Sequence, residues 1–463
     1  ILMDKARYTS IAPPPAPLDS RDPGGSAARV LAAAVLLPLI TLLSSFLTPE
    51  KEIGQHLSTT LLPDLIKNTV FLVSGVALFT AVIGVSLGWF TGACDFPGRR
   101  FFSWALALPM AMPAYVMAFI FLGLMDFSGP VQQLLRAVPG FEGRMFEVRS
   151  TPFVVMVMGL TLYPYVYLLS RTSFMNQGRA ILEASRTLGL RPSRAFFKVA
   201  LPMSRPWIVS GLALVLMETL ADFGAVSIFN YDTFTTAIYK SWFGFFSLKA
   251  AAQLSSLLVI LAVTLVFVEG LFKKRMRYYD SSRGAVAYTR LKLTGWQSLM
   301  VVAYCSTILF VAFIAPILQL TLWSMKVVRS GESTAYLEVI VKTLFLGAAA
   351  AAIICLAAVL LAYSRRRNKS WSNRVLSRIA TVGYALPGTV LAVGIFIPLS
   401  KFDNLLRKAV EAIAHIDPGP IFQGTLVVML AAYLIRFLAV GFGAVDSGMQ
   451  NIKPSLDEAS AIL

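Results

Sequence analysis

The sequence predicts an all-α polytopic membrane protein, and three of its properties lead to that fold class. The chain of 463 residues is 57% hydrophobic and only 14% charged, with a mean hydropathy of +0.70. A soluble protein of this length needs far more polar surface. The apolar residues fall into ten stretches, and the basic residues gather in alternate connections between them. Because the net charge of +17 follows this alternation, no nucleic-acid partner is expected, and membrane lipid is.

The chain begins with a polar, proline-rich tail, residues 1–28, which lacks the features of a signal peptide and is expected to be flexible. Most of the apolar stretches that follow are long enough to cross about 30 Å of hydrocarbon. They cover residues 30–47, 69–92, 101–125, 152–174, 206–230, 251–272, 297–324, 341–363, 376–399 and 421–445. A basic connector, 273–296, therefore separates a first half, 29–272, from a second half, 297–463.

The distribution of basic residues predicts the orientation of the chain. With the N-terminus in the cytoplasm, 27 of the 41 Lys and Arg residues lie in the tail or in inward connections. The outward connections hold fewer basic residues, and these are diluted by acidic ones. Since inward loops of membrane proteins carry an excess of Lys and Arg, the N-terminus and the connection after the fourth stretch are predicted to be cytoplasmic.

The second half repeats the first. A single constant shift along the chain places Phe174–Leu188 on Met449–Leu463 without a gap. Upstream, Leu108-Pro109 resembles Leu386-Pro387. Two tandem helical bundles in the same orientation imply a pseudo-two-fold axis along the membrane normal, with a transport path between them. Because the sequence stops inside the second copy of the motif described next, we expect a natural chain of twelve spans, of which ten are present.

Between the fourth and fifth stretches, residues 180–188 form a predicted short amphipathic helix. Ile181, Ala184 and Leu188 are spaced i, i+3 and i+7, so they lie in one apolar stripe. Gly189 ends this helix, and a proline three residues later begins a second one. An amphipathic helix outside the membrane is suited to dock into a groove of another protein.

This segment resembles the signature of importer-type ATP-binding cassette (ABC) permeases. That signature is Glu-Ala-Ala, three residues, Gly, nine residues, then Ile-x-Leu-Pro, and here Ser and Val replace the second Ala and the Ile. The resemblance implies a coupling helix that sits in a cleft of a separate dimeric ATPase. The chain itself would then be no enzyme, have no catalytic residues and bind no cofactor, with ATP and Mg²⁺ on that partner. The coupling residues so implied are Glu183, Ala184, Ser185, Leu188, Gly189, Val199, Leu201 and Pro202, with Glu458, Ala459 and Ser460 in the second copy.

Two carboxylates inside the fifth stretch predict a substrate pathway. An ionisable group within a membrane span is costly and is by default a functional hypothesis. Glu218 and Asp222 are four residues apart and are expected to share a helix face. With Thr219 they form an oxygen-rich patch that suits a hard cation, so both are also candidate ligands of a transiently bound metal ion. The alternative is that both carboxylates pair with a basic group or water at a helix end.

Residues 220–242 resemble the ferric-iron subfamily of these permeases, in which Ala-Asp-Phe-Gly is followed by Thr-Phe-Thr-Thr-x-Ile-Tyr. The resemblance implies Fe³⁺ as the substrate, a periplasmic ferric-binding protein that delivers it, and a location in the bacterial inner membrane. Permeases for thiamine, phosphonate or polyamines remain alternatives within the same class.

Two shorter motifs carry less information. Gly92–Arg100 resembles the loop between the second and third spans of major-facilitator transporters, which makes a secondary transporter of that kind the alternative outside the ABC class. Its glycine is one residue out of register, and Phe96 stands where an Arg is expected. Gly84 and Gly88 form a G-x-x-x-G pair, which predicts close packing between two helices.

Overall fold

The computed structural model describes residues 23–47, 61–137, 147–187, 192–275, 290–329, 333–368, 370–415 and 417–450. Most of the described residues are helical, and the described residues also contain two paired strands of two residues each. The main helices are α1 (Pro23–Ser44), α2 (Leu62–Ala93), α3 (Arg99–Ala105), α4 (Ala114–Met125), α5 (Pro130–Arg136), α6 (Thr151–Thr187), α7 (Leu201–Ala221), α8 (Gly224–Ile228), α9 (Phe234–Tyr239), α10 (Leu248–Arg275), α11 (Trp296–Leu309), α12 (Ala315–Arg329), α13 (Ser333–Arg367), α14 (Trp371–Thr381), α15 (Gly388–Ala414) and α16 (Leu426–Gln450). The strands are β1 (Cys94–Asp95) and β2 (Leu291–Lys292).

Within the described residues, ten helical segments are long and apolar enough to cross a membrane, which confirms the predicted all-α polytopic fold. Helix α1 begins at Pro23, so the last residues of the predicted tail are helical. The third span begins at Ala114 rather than at residue 101, because the extended backbone of Met112 and Pro113 separates the preceding 3₁₀ turn from α4. The fifth covers Phe196–Ala221 rather than 206–230, and the ninth covers Gly388–Ile413 rather than 376–399.

The internal repeat is visible in the bounds of the helices. Helix α2 ends at Ala93, and α13 ends at Arg367. The 3₁₀ turns Leu108–Ala111 and Val382–Ala385 have the same separation in sequence as these two helix ends. The starts of α6 and α16 differ from that separation by a single position. The two parts of the chain therefore repeat an order of elements as well as a sequence motif.

The repeat also corrects one predicted correspondence. Pro387 is the residue before α15, with φ −57° and ψ 146°. The first-half residue with this role is Pro113, which precedes α4 with φ −60° and ψ 141°. Pairing Leu108-Pro109 with Leu386-Pro387 is therefore wrong, because it needs a longer shift than the one that relates the helices and the 3₁₀ turns.

The described residues within 37–347 and 385–432 form one compact unit, and its core is centred on the crossing of α2 and α6. A Cβ atom added at Gly84 would lie 2.7 Å from Val166 Cβ, and one at Gly88 would lie 2.3 Å from Ser170 Oγ. The Ser170 hydroxyl donates to the Gly84 carbonyl at 3.2 Å. The two glycines thus let the helix backbones approach closely, as the G-x-x-x-G spacing predicts.

The start of the predicted second half packs into this same core. Val301, Cys305 and Leu309 of α11 are buried among residues of α2, α4 and α6. The hydroxyls of Tyr304 and Ser86 form a hydrogen bond of 2.8 Å. Strand β2 pairs in parallel with β1, which extends the attachment to the loop before α3. The packing therefore does not stop at the predicted boundary between the halves.

The described residues within 1–36, 348–384 and 433–463 make up a second compact unit, which has its own small core. Ala28 of α1 packs there with residues of α13, α14 and α16, among them Leu361 and Leu438. The end of α13 is tied to α16 by polar contacts. Arg365 forms an ion pair of 3.0 Å with Asp446.

Candidate functional site

The predicted coupling segment is the end of a long helix. Helix α6 runs without a break from the fourth span to Thr187, and the backbone of Glu183, Ala184 and Ser185 belongs to it. The prediction of a separate short helix beginning at residue 180 is therefore wrong. The sequence contains no proline between Pro164 and residue 180, so no residue in that stretch interrupts the hydrogen bonds of the helix. The helix thus extends from the predicted coupling residues directly into the membrane-spanning core.

Several predicted coupling residues lie outside the described part of the chain. These are Leu188, Gly189, Glu458, Ala459 and Ser460. For Glu183, Ala184 and Ser185 the structure describes the backbone and not the side chains. The coupling role of this set stays a prediction.

The second half of the motif has an unusual helical geometry. Residues Phe196–Ala200 form a π-turn, in which the Leu201 N–H bonds to the carbonyl of Phe196, five residues earlier. Val199 belongs to this turn, and Pro202 follows it as an early residue of α7. Proline has no N–H and its ring crowds the carbonyl four residues back, so a wider turn ahead of it lets the helix continue.

The same arrangement occurs at a second site, which supports this explanation. Residues Phe310–Ile314 form a π-turn, and the Ala315 N–H bonds to the carbonyl of Phe310. Pro316 follows Ala315, just as Pro202 follows Leu201. In both segments a phenylalanine opens the turn and a proline comes two residues after its end.

An aromatic cluster joins the π-turn at Phe196 to two spans. The Phe196 ring lies 4.9 Å from the ring of Trp89 on α2 and 6.1 Å from that of Phe174 on α6. Trp89 and Phe174 meet edge to face at 5.3 Å. The segment after the coupling motif is therefore in direct contact with α2 and α6. Sequence reasoning missed this cluster, because its three residues are far apart in the chain.

The two predicted pathway carboxylates line one cavity of about 300 Å³. It lies between the turn before α4, the middle of α6 and the end of α7. Glu218 reaches it from α7, and Asp222 reaches it from the residue after the helix end. The other lining residues are Met110, Met112, Pro113, Ala114, Tyr115, Met158, Thr161, Leu162, Tyr165 and Gly224.

Asp222 is placed differently from the prediction. Helix α7 ends at Ala221, and Asp222 has an extended backbone with ψ 129°, so Glu218 and Asp222 do not share a helix face. The Asp222 Oδ1 accepts the backbone N–H of Ala225 at 2.9 Å and that of Val226 at 3.3 Å. The carboxylate thus stabilises the first turn of α8 while it also borders the cavity. The short side chain of aspartate is well suited to this turn.

Thr219 and the threonine run after residue 232 are structural. The Thr219 hydroxyl donates to the carbonyl of Val215 at 2.7 Å, within its own helix, so it does not join the predicted oxygen-rich patch. Thr233 and Thr236 cap the start of α9 reciprocally. Thr235 donates to the Asp222 carbonyl at 2.6 Å. The Thr-Phe-Thr-Thr run therefore holds the backbone of Asp222 in position.

The lining of the cavity favours a positively charged occupant. Glu218 and Asp222 supply two carboxylates, and the phenol groups of Tyr115 and Tyr165 add oxygen atoms. None of the described residues that line the cavity is Lys or Arg. Oxygen donors of this kind suit hard cations. Among the described residues, no group of three or more His, Cys, Asp or Glu side chains is arranged to hold a metal ion.

The two tyrosines of the cavity were not found from the sequence. Tyr115 follows the Pro113 break, and Tyr165 follows Pro164 in α6. An aromatic residue beside a proline in a membrane span is too common to indicate a pathway. Their position beside the two carboxylates results from the packing of α4 against α6 and becomes apparent only in the structure.

Comparison with known proteins relates the region around this cavity to transport systems. Residues 84–278 match the family model for the inner membrane component of binding-protein-dependent transport systems. The matched region contains the described coupling residues and the cavity. The family match and the ten apolar helices together indicate a multi-pass protein of the bacterial inner membrane.

Curated relatives align with most of the chain at low identity. The Fe(3+)-transport system permease protein FbpB 2 of Haemophilus influenzae is 23% identical over 404 residues, which are 86% of this chain and 73% of the relative. The ferric transport system permease protein FbpB of Actinobacillus pleuropneumoniae is 23% identical over 86% of this chain and 58% of its own length. The molybdate/tungstate transport system permease protein WtpB of Thermococcus kodakarensis is 26% identical over 43% of this chain and 73% of its own length.

The two ferric transport relatives confirm the resemblance to ferric ABC importer permeases that the sequence predicts. The chain spans between 58% and 73% of the length of these relatives.

Proposed function

We propose that this chain, a permease similar to the ferric ABC importers with a binding-protein-dependent transport domain at residues 84–278, carries iron(III) across the bacterial inner membrane. In this proposal a periplasmic binding protein delivers the iron to the outer face. A separate dimeric ATPase on the cytoplasmic side hydrolyses ATP with Mg²⁺ and drives the change between outward- and inward-facing states. The N-terminus lies in the cytoplasm.

The charge of the cavity is the observation that carries the choice of substrate. Relatives of this chain include transporters named for oxyanions, molybdate and sulfate, as well as for ferric iron. An anion is repelled by a lining with two carboxylates and no basic residue, whereas a cation is attracted to it. Glu218 and Asp222 therefore support a cationic substrate over an oxyanion. Thiamine and polyamines are also cations, and the ferric relatives favour iron among them.

The decisive experiment removes the charge and keeps the shape. In the double variant Glu218→Gln with Asp222→Asn, each amide retains an oxygen acceptor, so the Asn side chain still accepts from the N–H groups of Ala225 and Val226. We expect uptake of radioactive iron to fall at least about tenfold, because the cation loses two charges that attract it in a low-dielectric site. Uptake is measured in proteoliposomes that contain the permease, its ATPase and its binding protein.

Asp232→Asn is the matched control for this experiment. Asp232 lies on the same connection, forms an ion pair with Lys240 and does not line the cavity. Its variant is expected to keep wild-type uptake. Unchanged iron uptake in the double variant would return Glu218 and Asp222 to a purely structural role.

The proposed coupling is tested separately. In the Glu183→Ala and Gly189→Pro variants we expect loss of uptake and of substrate-stimulated ATP hydrolysis, with normal insertion into the membrane. Glu338→Ala is the control, since Glu338 is an exposed residue of α13 that pairs with Lys342. Full transport by the Glu183→Ala variant contradicts the coupling assignment. Purification of the native protein distinguishes the ABC importer from the secondary transporter. The importer should co-purify with a stoichiometric ATPase, whereas the secondary transporter should be a monomer that is driven by a proton gradient.

A further inference from the structure

Helix α14 presents a stripe of one tryptophan and two arginines on its exposed face. Trp371, Arg374 and Arg378 are spaced i, i+3 and i+7, so they lie above one another on the helix surface. The Trp371 side chain is 78% exposed, and both arginines are exposed as well. This arrangement is the reverse of an ordinary surface helix, whose large aromatic residue faces the core.

The opposite face of α14 is held in place by hydrogen bonds. The Asn373 side-chain amide donates to the carbonyls of Ser364, at 2.8 Å, and Asn368, at 3.0 Å. The Ser370 hydroxyl accepts the Asn373 N–H and caps the helix. Asn373 and Ala380 are buried. The helix is thereby fixed to the end of α13, and the stripe cannot turn toward the core without breaking these bonds.

The charge around α14 is strongly unbalanced. The sequence contains no Asp or Glu between Glu338 and Asp403, whereas residues 365–378 hold six Lys and Arg. Asp446 of α16 pairs with Arg365 at the end of α13. The exposed face of α14 is therefore basic.

The equivalent helix of the first half has a similar face. Helix α3 follows α2 as α14 follows α13, and each is followed by a 3₁₀ turn at the same shift in the repeat. Arg100 is exposed there, and so are Phe101 and Trp104, whose rings meet edge to face at 5.5 Å. An exposed tryptophan together with exposed arginine thus occurs in both copies.

The position of α14 in the chain points to a membrane surface as the partner. The helix is only four residues from the end of one membrane-spanning helix, α13, and seven residues from the start of the next, α15. Both of its ends are therefore tethered to the bilayer. Tryptophan is favoured at the level of lipid headgroups, and the planar guanidinium group of arginine matches phosphate oxygens. Clusters of basic residues directly beside a span bind anionic lipid.

We propose that Trp371, Arg374 and Arg378 form a binding site for the headgroups of anionic phospholipids. In this site the indole ring lies among the headgroups, and the two guanidinium groups donate hydrogen bonds to lipid phosphate. The predicted orientation of the basic connections puts the site on the cytoplasmic leaflet. The proposal does not depend on the substrate of the permease.

The test measures the lipid next to Trp371. The full chain is reconstituted in dioleoylphosphatidylcholine vesicles that contain dioleoylphosphatidylglycerol, with either lipid replaced by its brominated form, which quenches tryptophan fluorescence on contact. The contribution of Trp371 is the difference between the wild type and Trp371→Phe. We expect brominated phosphatidylglycerol to quench Trp371 several-fold more than brominated phosphatidylcholine at equal mole fraction. Since each basic residue near an anionic surface contributes about fivefold to binding, Arg374→Gln with Arg378→Gln should abolish this preference.

A matched variant and a conservative one complete the test. Lys401→Gln with Lys408→Gln removes the same charge from exposed positions of α15 and should retain the preference. Arg374→Lys with Arg378→Lys should retain most of it. Equal quenching of wild-type Trp371 by the two lipids overturns the proposal, even if the glutamine variant fails to insert. A preference for phosphatidylglycerol that survives in an inserted glutamine variant also overturns it. If neither lipid quenches Trp371, the proposal is wrong as well, and the face would instead contact a protein partner.

Discussion

At the scale of single residues, the contact between α2 and α6 depends on the absence of side chains. Gly88 faces the backbone of α6. An added Cβ atom would lie 3.0 Å from the Arg171 backbone nitrogen and 2.3 Å from Ser170 Oγ. The Ser170 side chain is buried and hydrogen-bonded, so it has little room to move. The tolerance of this position to substitution is therefore low.

We accordingly expect Gly88→Ala to destabilise the protein by about 1–3 kcal/mol, the usual cost of extra volume in a tightly packed core. Gly347→Ala is the control, because Gly347 is also helical and no atom lies within 4 Å of an added Cβ. Alanine favours a helix over glycine, so the control should keep or slightly raise the stability. Thermal unfolding in detergent compares the two variants, and equal midpoints would contradict the close packing.

Asp222 shows what single-residue reasoning from sequence can and cannot reach. The rarity of carboxylates inside apolar stretches was sufficient to select both Glu218 and Asp222, and the structure brings both to one cavity. The predicted reason, a shared helix face, fails because the helix ends at Ala221. That end depends on hydrogen bonds from Ala225 and Val226 to the Asp222 carboxylate and from Thr235 to the Asp222 carbonyl. Such capping has no periodic pattern in the sequence.

At the scale of elements, the π-turns at Phe196–Ala200 and Phe310–Ile314 show how a helix accommodates a proline. The turn at Phe196–Ala200 keeps Phe196 in contact with Trp89 and Phe174. The adjacent Phe197 meets the Phe196 ring edge to face at 4.9 Å and is 66% exposed. A π-turn is weaker than a regular helical turn and is a place where a helix can change its geometry. Its location between the predicted coupling residues and α7 makes it a candidate link between the proposed ATPase and the spans.

We expect Phe196→Ala to remove the aromatic contacts with Trp89 on α2 and Phe174 on α6, each worth about 0.5–1.5 kcal/mol, and to weaken the transmission of movement to these helices. If the proposed function is right, this variant in the reconstituted complex should hydrolyse more ATP for each iron ion transported. Phe197→Ala removes a phenylalanine of the same size from an exposed site, and with it only the contact between the two neighbouring phenylalanines. Its ratio of ATP to iron should stay close to the wild type. The same ratio in both variants would exclude the aromatic cluster as the link.

Helix positions were predictable because hydrophobic length decides which segments span the membrane, and all ten candidate spans of the described residues were found in this way. Boundaries were less accessible where a proline or a polar residue competes with the apolar run, as at Pro113 and Asp222. The long α6 was divided in the prediction because an amphipathic stripe was interpreted as a separate element. A stripe specifies which face is apolar, and it does not specify where a helix begins.

At the scale of the molecule, packing and sequence repeat describe two different divisions of the chain. The repeat places a boundary near the basic connector, and the helix bounds follow it with a nearly constant shift. The core that surrounds α2 and α6 nevertheless includes α11 and the π-turn after it, through Val301, Cys305, Leu309 and Ala312. A repeat records the order of elements, and it does not determine which copy a helix packs against.

This difference gives a prediction for fragments of the chain. A fragment of residues 1–275 contains the predicted first half but lacks α11 and α12, so the buried surface that Val301, Cys305 and Leu309 cover is exposed to lipid or detergent. A fragment of residues 1–329 includes both helices, together with β2 and the hydrogen bond between Tyr304 and Ser86. We expect the longer fragment to unfold at a higher temperature and to resist proteolysis longer. In the control, an unrelated apolar span of equal length replaces residues 296–329. If the 1–275 fragment is as stable as the 1–329 fragment, the first half is an independent folding unit. If the unrelated span stabilises the fragment equally, α11 contributes only apolar bulk and no specific contacts.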